Sequence, residues 1–203
     1  MNYMYIKRII DILVSLTVIF IISPIFLIIG IIIKVESKGS VFYKAKRSGL
    51  NGIYFTILKF RTMYSNSDLS KMTTSSNDDR ITGFGYYLRK YKIDELPQLI
   101  NVLLGHMSLV GPRPELPFYT SQYSKEEEKI LSVRPGITDF ASIEFYNLSS
   151  LVPDQNSNDF FESQILTKKN QLRLKYIREM SLLTDCKIFF LTIIKIFKLL
   201  LKK

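Results

Sequence analysis

Residues 7–34, KRIIDILVSLTVIFIISPIFLIIGIIIK, decide the architecture of this chain. The segment opens on Lys7 and Arg8 and then runs uncharged from Ile12 to Ile33. An apolar run longer than about 18 residues is a membrane-helix candidate, and no small-residue cleavage site follows to mark a removable signal. Hydropathy alone allows a simple spanning helix. Two details favour another geometry. Ser23-Pro24 sits in the middle of the run, where proline removes one backbone hydrogen bond and forces a kink, and the Ser23 hydroxyl can replace the lost donor. Cations also flank both ends, Lys7 and Arg8 before and Lys34 and Lys38 after, so the positive-inside bias holds both ends on the cytoplasmic side. A helix–break–helix wedge entering one leaflet, broken at Ser23 and Pro24, satisfies both.

Outward from this segment, the 203 residues make one modest domain plus its attachment: 1–38 as the re-entrant helix, 39–184 as a cytosolic domain, and 185–203 as a terminal helix. The formal charge of +10 suits an anionic partner such as an acidic lipid surface or a phosphorylated substrate. Nucleic acid is disfavoured, because no zinc-finger spacing, RNP-like motif or helix-turn-helix pattern is present. One cysteine, Cys186, excludes an internal disulfide and fits a reducing compartment. With His106 the single histidine, no His/Cys zinc site can be assembled, and His106 itself, without an acidic neighbour, reads as structural.

After Val41 the hydropathy period becomes two. Val41–Tyr43 and Ile53–Met63 read as strands of a hairpin around Ser48–Gly52, with Phe55, Ile57, Lys59 and Arg61 on one face. Residues 65–79 read as a mobile loop, and 84–104 as helix in two pieces, with Leu96, Leu99, Ile100, Leu103 and Leu104 as a buried stripe. Pro97 is tolerated in a first turn, which puts the second helix start near Asp94. Leu109–Pro117, with three prolines and a glycine, reads as an irregular loop, Lys125–Leu131 as a short charged helix, and Arg134-Pro135-Gly136 as a turn. Asn147–Asn158 reads as another loop, and 160–180 as an amphipathic helix with a polar outer face. In 185–203, Lys187, Lys195, Lys198 and Lys202 fall within roughly 80° of arc on an otherwise apolar helix, the pattern of a helix lying in a membrane interface rich in anionic lipid. The fold class expected is α+β: a small, mostly helical domain with a β-hairpin, a re-entrant N-terminal helix and interfacial amphipathic helices.

The chemistry concentrates at Lys92-Ile93-Asp94-Glu95-Leu96-Pro97-Gln98. Two adjacent carboxylates at a helix start are stabilised as anions by the dipole and free amides, which would keep Asp94 ionised as a nucleophile must be. Glu95 can offer oxygen to magnesium, which takes one or two carboxylates plus substrate phosphates. A helix cap gives the same pair of residues for purely structural reasons. The basic company shifts the balance: Lys59, Arg61, Arg89, Arg113 and Arg134 are candidate phosphate ligands, guanidinium groups binding phosphate oxygens in a bidentate way. No Gly-rich phosphate loop, GxGxxG or Asp-x-Asp occurs.

Taken together the motifs resemble the monotopic phosphoglycosyl transferases, the bacterial sugar transferases that begin glycoconjugate assembly. The matching pieces are Lys7-Arg8 with Asp11, Ser23-Pro24, Lys59-Phe60-Arg61-Thr62-Met63, Asp79-Arg80-Ile81-Thr82 with Gly85 and Leu88-Arg89, Ile93 to Gln98 with Asn101-Val102, Met107 to Pro114, and Arg134 to Thr138. The resemblance implies the family's catalytic domain alone, a re-entrant helix broken at Ser23-Pro24, and a site at the cytoplasmic surface of the bacterial inner membrane. It implies that Asp94 attacks the sugar-linked phosphate of a UDP-sugar, releasing UMP, and that polyprenyl (undecaprenyl) phosphate then takes the sugar phosphate from Asp94. Glu95 would hold Mg2+, and Lys59, Arg61, Arg89 and Arg113 would bind phosphate. After Thr138 the chain departs from the commoner pattern of glycine, tryptophan and glutamine followed by an Asn-Gly-Arg element. It reads Asp139-Phe140-Ala141-Ser142-Ile143-Glu144-Phe145 instead, so sugar and nucleotide recognition is not legible.

The alternative from another class is a non-catalytic membrane adaptor that binds anionic lipid. It accounts for the charge and the terminal helices but gives no reason for Asp94-Glu95 to lie among arginines. The sugar, the polyprenyl length, the glycan pathway and any homo-oligomer are not encoded in a form that can be read.

Overall fold

A computed structural model describes residues 3–65, 78–148 and 157–201. The serine- and threonine-rich stretch expected to be a mobile loop falls mainly at 66–77, and most of the loop expected at Asn147–Asn158 falls at 149–156, outside the described residues; so does Lys202.

Helix α1, Tyr3–Glu36, spans about 51 Å at 1.5 Å per residue. Its buried positions are Lys7, Asp11 and Ser15 near one end and Ile29 and Ile33 near the other, each set spaced by four so that it shares one face. None of the helix between Ser15 and Ile29 is fully buried, and Phe20 and Ile21 are 81% and 66% exposed. Both ends are clamped to the same body. Lys7 Nζ pairs with Asp185 at 2.6 Å, Arg8 donates to the carbonyls of Val102 and Leu103, and Asp11 Oδ1 accepts from Leu109 N. At the other end Glu36 Oε1 accepts from Phe84 N at 2.8 Å. The interruption expected at Ser23-Pro24 is absent: the helix runs through Pro24. The Ser23 hydroxyl donates to Phe20 O at 2.9 Å, the carbonyl that proline leaves without its backbone donor.

Strands β1 (Phe42–Ser48) and β2 (Tyr54–Phe60) form the expected antiparallel hairpin, in register from Phe42↔Phe60 to Ser48↔Tyr54. The connection holds Asn51 at φ 54° and Gly52 at φ 74°, left-handed positions that suit those two residue types. Helix α2 is Gly83–Lys90, capped by Thr82 Oγ1, which accepts from Gly85 N. A 3-10 turn at Ile93–Glu95 precedes helix α3, Gln98–Leu103. The second helix thus begins four residues later than expected, and Asp94 and Glu95 lie on the turn ahead of it. The leucine stripe is corrected too. Leu104 is 63% exposed, while Gln98, Leu99, Asn101 and Val102 are buried. Asn101 faces inward because its amide bonds Leu58 N and Thr56 O of β2.

Beyond α3 lie β3 (Ser108–Val110), α4 (Pro117–Thr120), β4 (Gly136–Thr138), α5 (Phe140–Glu144), α6 (Ser157–Phe160), α7 (Thr167–Glu179) and α8 (Leu182–Leu201). The stretch expected to be irregular therefore starts as a strand. β3 and β4 pair in parallel, Ser108↔Gly136 and Val110↔Thr138. Gly111 and Gly136 pass so close that a Cβ on Gly136 would sit 2.1 Å from Gly111 N. The principal core joins Phe55, Ile57, Val102, Met107 and Ile188. A second cluster packs Ile29 and Ile33 of α1 against Phe60 and Leu88. The fold is α+β and mostly helical, as expected.

Two faces differ from expectation. The inner side of α7 is mixed: Lys169, Asn170 and Arg173 are buried alongside Leu174 and Tyr176. On α8, Lys195 does not join a solvent-facing stripe but donates to Ile143 O at 2.7 Å, while Leu183, Phe190 and Phe197 are 60% or more exposed.

Candidate active site

Four elements bring charge together. β2 places Lys59 on the same side as the buried Phe55 and Ile57. The last turn of α2 supplies Arg89. Lys92 adopts a left-handed conformation, φ 58°, which ends that helix and swings the chain into the Ile93–Glu95 turn. The loop after β3 supplies Arg113. Lys59 Nζ donates to Glu95 Oε1 at 2.8 Å, and Arg113 Nη2 donates to the same oxygen. Arg113 is itself fixed at two further points: its backbone N donates to Asp139 Oδ2 at 2.9 Å, and Nη1 donates to Ile137 O at 2.8 Å.

Asp94 is 6% exposed, and its Oδ1 is buried without a hydrogen-bond partner. Burial, then the neighbouring Glu95, push its carboxyl pKa above the ordinary value, against the pull of Lys59, Arg89 and Lys92. The turn that carries Asp94 is not the first turn of α3, so the helix start expected to stabilise its anion lies further on, and desolvation acts in the opposite direction. Glu95 behaves oppositely. Burial raises it, but Arg113, Lys59 and Lys92 outweigh burial and hold it well below the usual carboxylate range. An ionised Glu95 beside a carboxyl that is pushed up is a division of roles between two adjacent acids.

Two expected phosphate ligands sit elsewhere. The Arg61 guanidinium donates to the carbonyls of Ser37 and Lys38, at 2.6 and 2.7 Å, closing the C-terminal end of α1. Strand β2 ends at Phe60, so the face shared with Lys59 on paper does not extend to Arg61. Arg134 Nε donates to Gly105 O at 2.9 Å and lies beside Lys7, Arg8 and Asp11. Arg89 stays with the cluster, acting on Asp94, its Nη1 3.4 Å from Thr62 Oγ1. Lys92 is the cation that sequence reading passed over, although it adjoins the carboxylates in the quoted motif. Burial lowers its ammonium pKa, opposed by Glu95.

Beside the cluster is a cavity of about 290 Å³. Lys92, Glu95 and Arg113 form part of its wall, and Thr138, Ala141, Ser142 and Tyr146 another part. All of the latter but Thr138 follow the point where the sequence departs from the commoner pattern. α8 contributes Thr192, Lys195 and Ile196. Tyr146 is 9% exposed, its hydroxyl has no partner, and nothing in the sequence marked it. Behind the cavity, Glu115 Oε1 accepts from Arg173 Nη2 at 2.8 Å and Lys169 Nζ at 3.1 Å.

Among the described residues no group of three or more His, Cys, Asp or Glu side chains forms a metal cage. Magnesium needs no such cage when phosphates complete its shell. The donor set fits that use: two adjacent carboxylates, one carrying a buried oxygen without a partner.

A family model described as bacterial sugar transferase matches residues 2–199. The chain is 37% identical over 195 residues to the undecaprenyl-phosphate glucose phosphotransferase of Komagataeibacter xylinus, covering 92% of this chain and 35% of that one. It is 36% identical over 193 residues to the uncharacterized sugar transferase EpsL of Bacillus subtilis (strain 168), covering 95% and 88%. Over 145 residues it is 41% identical to the UDP-N-acetylgalactosamine-undecaprenyl-phosphate N-acetylgalactosaminephosphotransferase of Aeromonas hydrophila, covering 70% and 34%. The chain thus spans little more than a third of the length of the first and third of these relatives. The match of a single family model from one end to the other, together with the identity to EpsL over nearly both full lengths, establishes that this chain belongs to the bacterial sugar transferase family.

Proposed function

We propose that this chain moves a sugar 1-phosphate from a UDP-sugar to undecaprenyl phosphate through a phosphosugar–aspartate intermediate on Asp94. The observation that carries the reading is Asp94 Oδ1, a buried oxygen without a partner, in a cluster of Lys59, Arg89, Lys92 and Arg113. Relatives named for undecaprenyl phosphate and for glucose or N-acetylgalactosamine support the substrate classes.

In the first step an Asp94 oxygen forms a bond to the sugar-linked phosphorus, and the bridging P–O bond breaks with its electron pair leaving on UMP. In the second, an oxygen of the lipid phosphate attacks the same phosphorus and the Asp94 carboxylate leaves. The covalent step divides one meeting of two anionic substrates into two displacements. Lys59, Arg89, Lys92 and Arg113 orient phosphate oxygens and lower the repulsion between nucleophile and phosphate. Glu95 anchors Lys59 and Arg113, and with Asp94 forms the carboxylate pair that would hold Mg2+; the ion supplies charge neutralisation on the phosphates.

The membrane reading rests on α1. A helix whose two ends are clamped to one body cannot carry one end across a bilayer unless the body follows. With the outer side of its middle apolar and exposed at Phe20, Ile21, Leu27 and Ile28, α1 suits insertion into a single leaflet of the inner membrane, with the domain on the cytoplasmic face and the exposed apolar side of α8 in the interface. Tags at both ends of α1 should report the cytoplasm in a protease-access assay; a periplasmic N-terminus would defeat this topology.

The reaction is tested by mixing the protein with UDP-glucose or UDP-N-acetylgalactosamine and Mg2+, without lipid acceptor. UMP release of about one equivalent per site and a protein heavier by a hexose or N-acetylhexosamine phosphate are expected. Asp94→Asn should show neither. A membrane adaptor would release no UMP, and a hydrolase would release it without limit.

A further inference from the structure

We infer that the cavity beside Glu95 and Arg113 holds the sugar ring of the donor, and that the Tyr146 hydroxyl donates a hydrogen bond to it. The inference rests on the transferase reading and adds a residue and a substrate part to it.

The cavity shares Lys92, Glu95 and Arg113 with the phosphate-binding cluster, so whatever fills it is joined to a phosphate held there. At about 290 Å³ it lies at the lower limit of organic-ligand pockets, room for one ring. Away from the cluster its lysines are already engaged. Lys169 pairs with Glu115, and Lys195 donates to Ile143 O. The remaining wall is mostly apolar with a few hydroxyls, which suits a sugar: C–H faces against Ile137 or Phe145, and hydroxyls at the edges.

Most of the hydroxyls are already engaged. Thr138 and Thr192 bond each other at 2.7 Å, and the Ser142 hydroxyl donates to Asp139 Oδ1 at 2.6 Å. Tyr146 differs. Its ring lies 5.6 Å from the Lys92 ammonium, yet its buried hydroxyl has no partner. Tyr146 is part of the cavity wall, and a buried polar group without a partner is costly in the free protein until a ligand supplies one. Burial and Glu95 keep the phenol protonated, hence a donor.

Tyr146→Phe keeps the ring and removes only the hydroxyl. The test measures KM and kcat for whichever of UDP-glucose and UDP-N-acetylgalactosamine the wild-type chain uses better, the inhibition constant of UDP, and the melting temperature. KM should rise about 3- to 10-fold, the loss of one hydrogen bond, with kcat within about 2-fold, since such binding is equal in ground and transition states. The inhibition constant of UDP, which has no sugar, should not move, and the melting temperature should hold or rise. An unchanged KM overturns the proposal. An equal shift for UDP also overturns it, because the contact is then to nucleoside or phosphate. A fall in melting temperature overturns it by showing that the hydroxyl serves the fold. If the wild-type chain uses no UDP-sugar at all, the transferase reading fails and the proposal falls with it.

Discussion

The Ser23 hydroxyl lies 2.9 Å from the carbonyl oxygen of Phe20, the atom whose helical donor Pro24 removes. The pair explains how a proline can sit inside a 34-residue helix without ending it. In lipid, where no water can satisfy that carbonyl, the substitution matters most.

Ser23→Ala should therefore destabilise the bilayer-embedded protein by about 1 kcal/mol, and should cost close to nothing when Pro24→Ala restores the backbone N–H. A double-mutant cycle in lipid nanodiscs reads the coupling. Equal costs in the two backgrounds would mean that the hydroxyl does not stand in for the missing donor.

Asp94 should control the acid limb of the reaction. Its pKa is raised by burial and Glu95, and the ionised form is the nucleophile, so the rate climbs with pH through a pKa above the ordinary aspartate value. The measurement is the second-order rate constant of the single-turnover UMP burst without acceptor, in which titration of the lipid phosphate plays no part. Arg89 lowers the Asp94 pKa, so Arg89→Gln should move the limb to still higher pH. A limb that stays in place, or shifts downward, refutes the assignment.

Adjacency made the heart of this site legible. Asp94 and Glu95 are neighbours in the chain, although Lys92 two residues earlier was passed over, and the alternation of β2 put Lys59 on the face of Phe55 and Ile57. The same alternation misled at Arg61, because a pattern on paper carries on past Phe60 while the strand does not. The parallel pair β3–β4 left no periodic trace, since three residues among prolines are too few to show a period. Glu115 and Arg173, 58 positions apart, could not be matched from sequence, because their pairing is decided by how α7 folds back. Tyr146 was invisible for a related reason: its interest lies in a missing partner.

Arg61→Gln should weaken the fold rather than the chemistry. Its guanidinium satisfies the carbonyls at the end of α1, and hydrogen bonds to a charged group are each worth about 1.5–3 kcal/mol. A loss of about 2–4 kcal/mol in unfolding free energy is expected, with the donor KM changed less than about 2-fold. A large rise in KM with stability intact would return Arg61 to the phosphate site.

Glu115 carries the last prediction. Its Oε1 faces Arg173 and Lys169, both buried. Glu115→Gln leaves the buried Lys169 without its counter-charge and Arg173 with Asp139 alone, 3.9 Å away, and losing one partner of a buried ion pair typically costs about 3–5 kcal/mol. The pH dependence follows from the direction of its shift. Burial raises the Glu115 pKa, but Lys169 and Arg173 outweigh it and hold it far below the ordinary 4.5. The unfolded chain therefore takes up this proton first as pH falls. The stability that Glu115 contributes is present above about pH 4.5 and is lost progressively below it. Denaturant unfolding of wild type and Glu115→Gln should show a gap that is widest near neutrality and narrows on acidification. A gap that stays constant from neutral pH to about pH 3 would mean that the charge of Glu115 is not what holds α7 against the wall of the cavity.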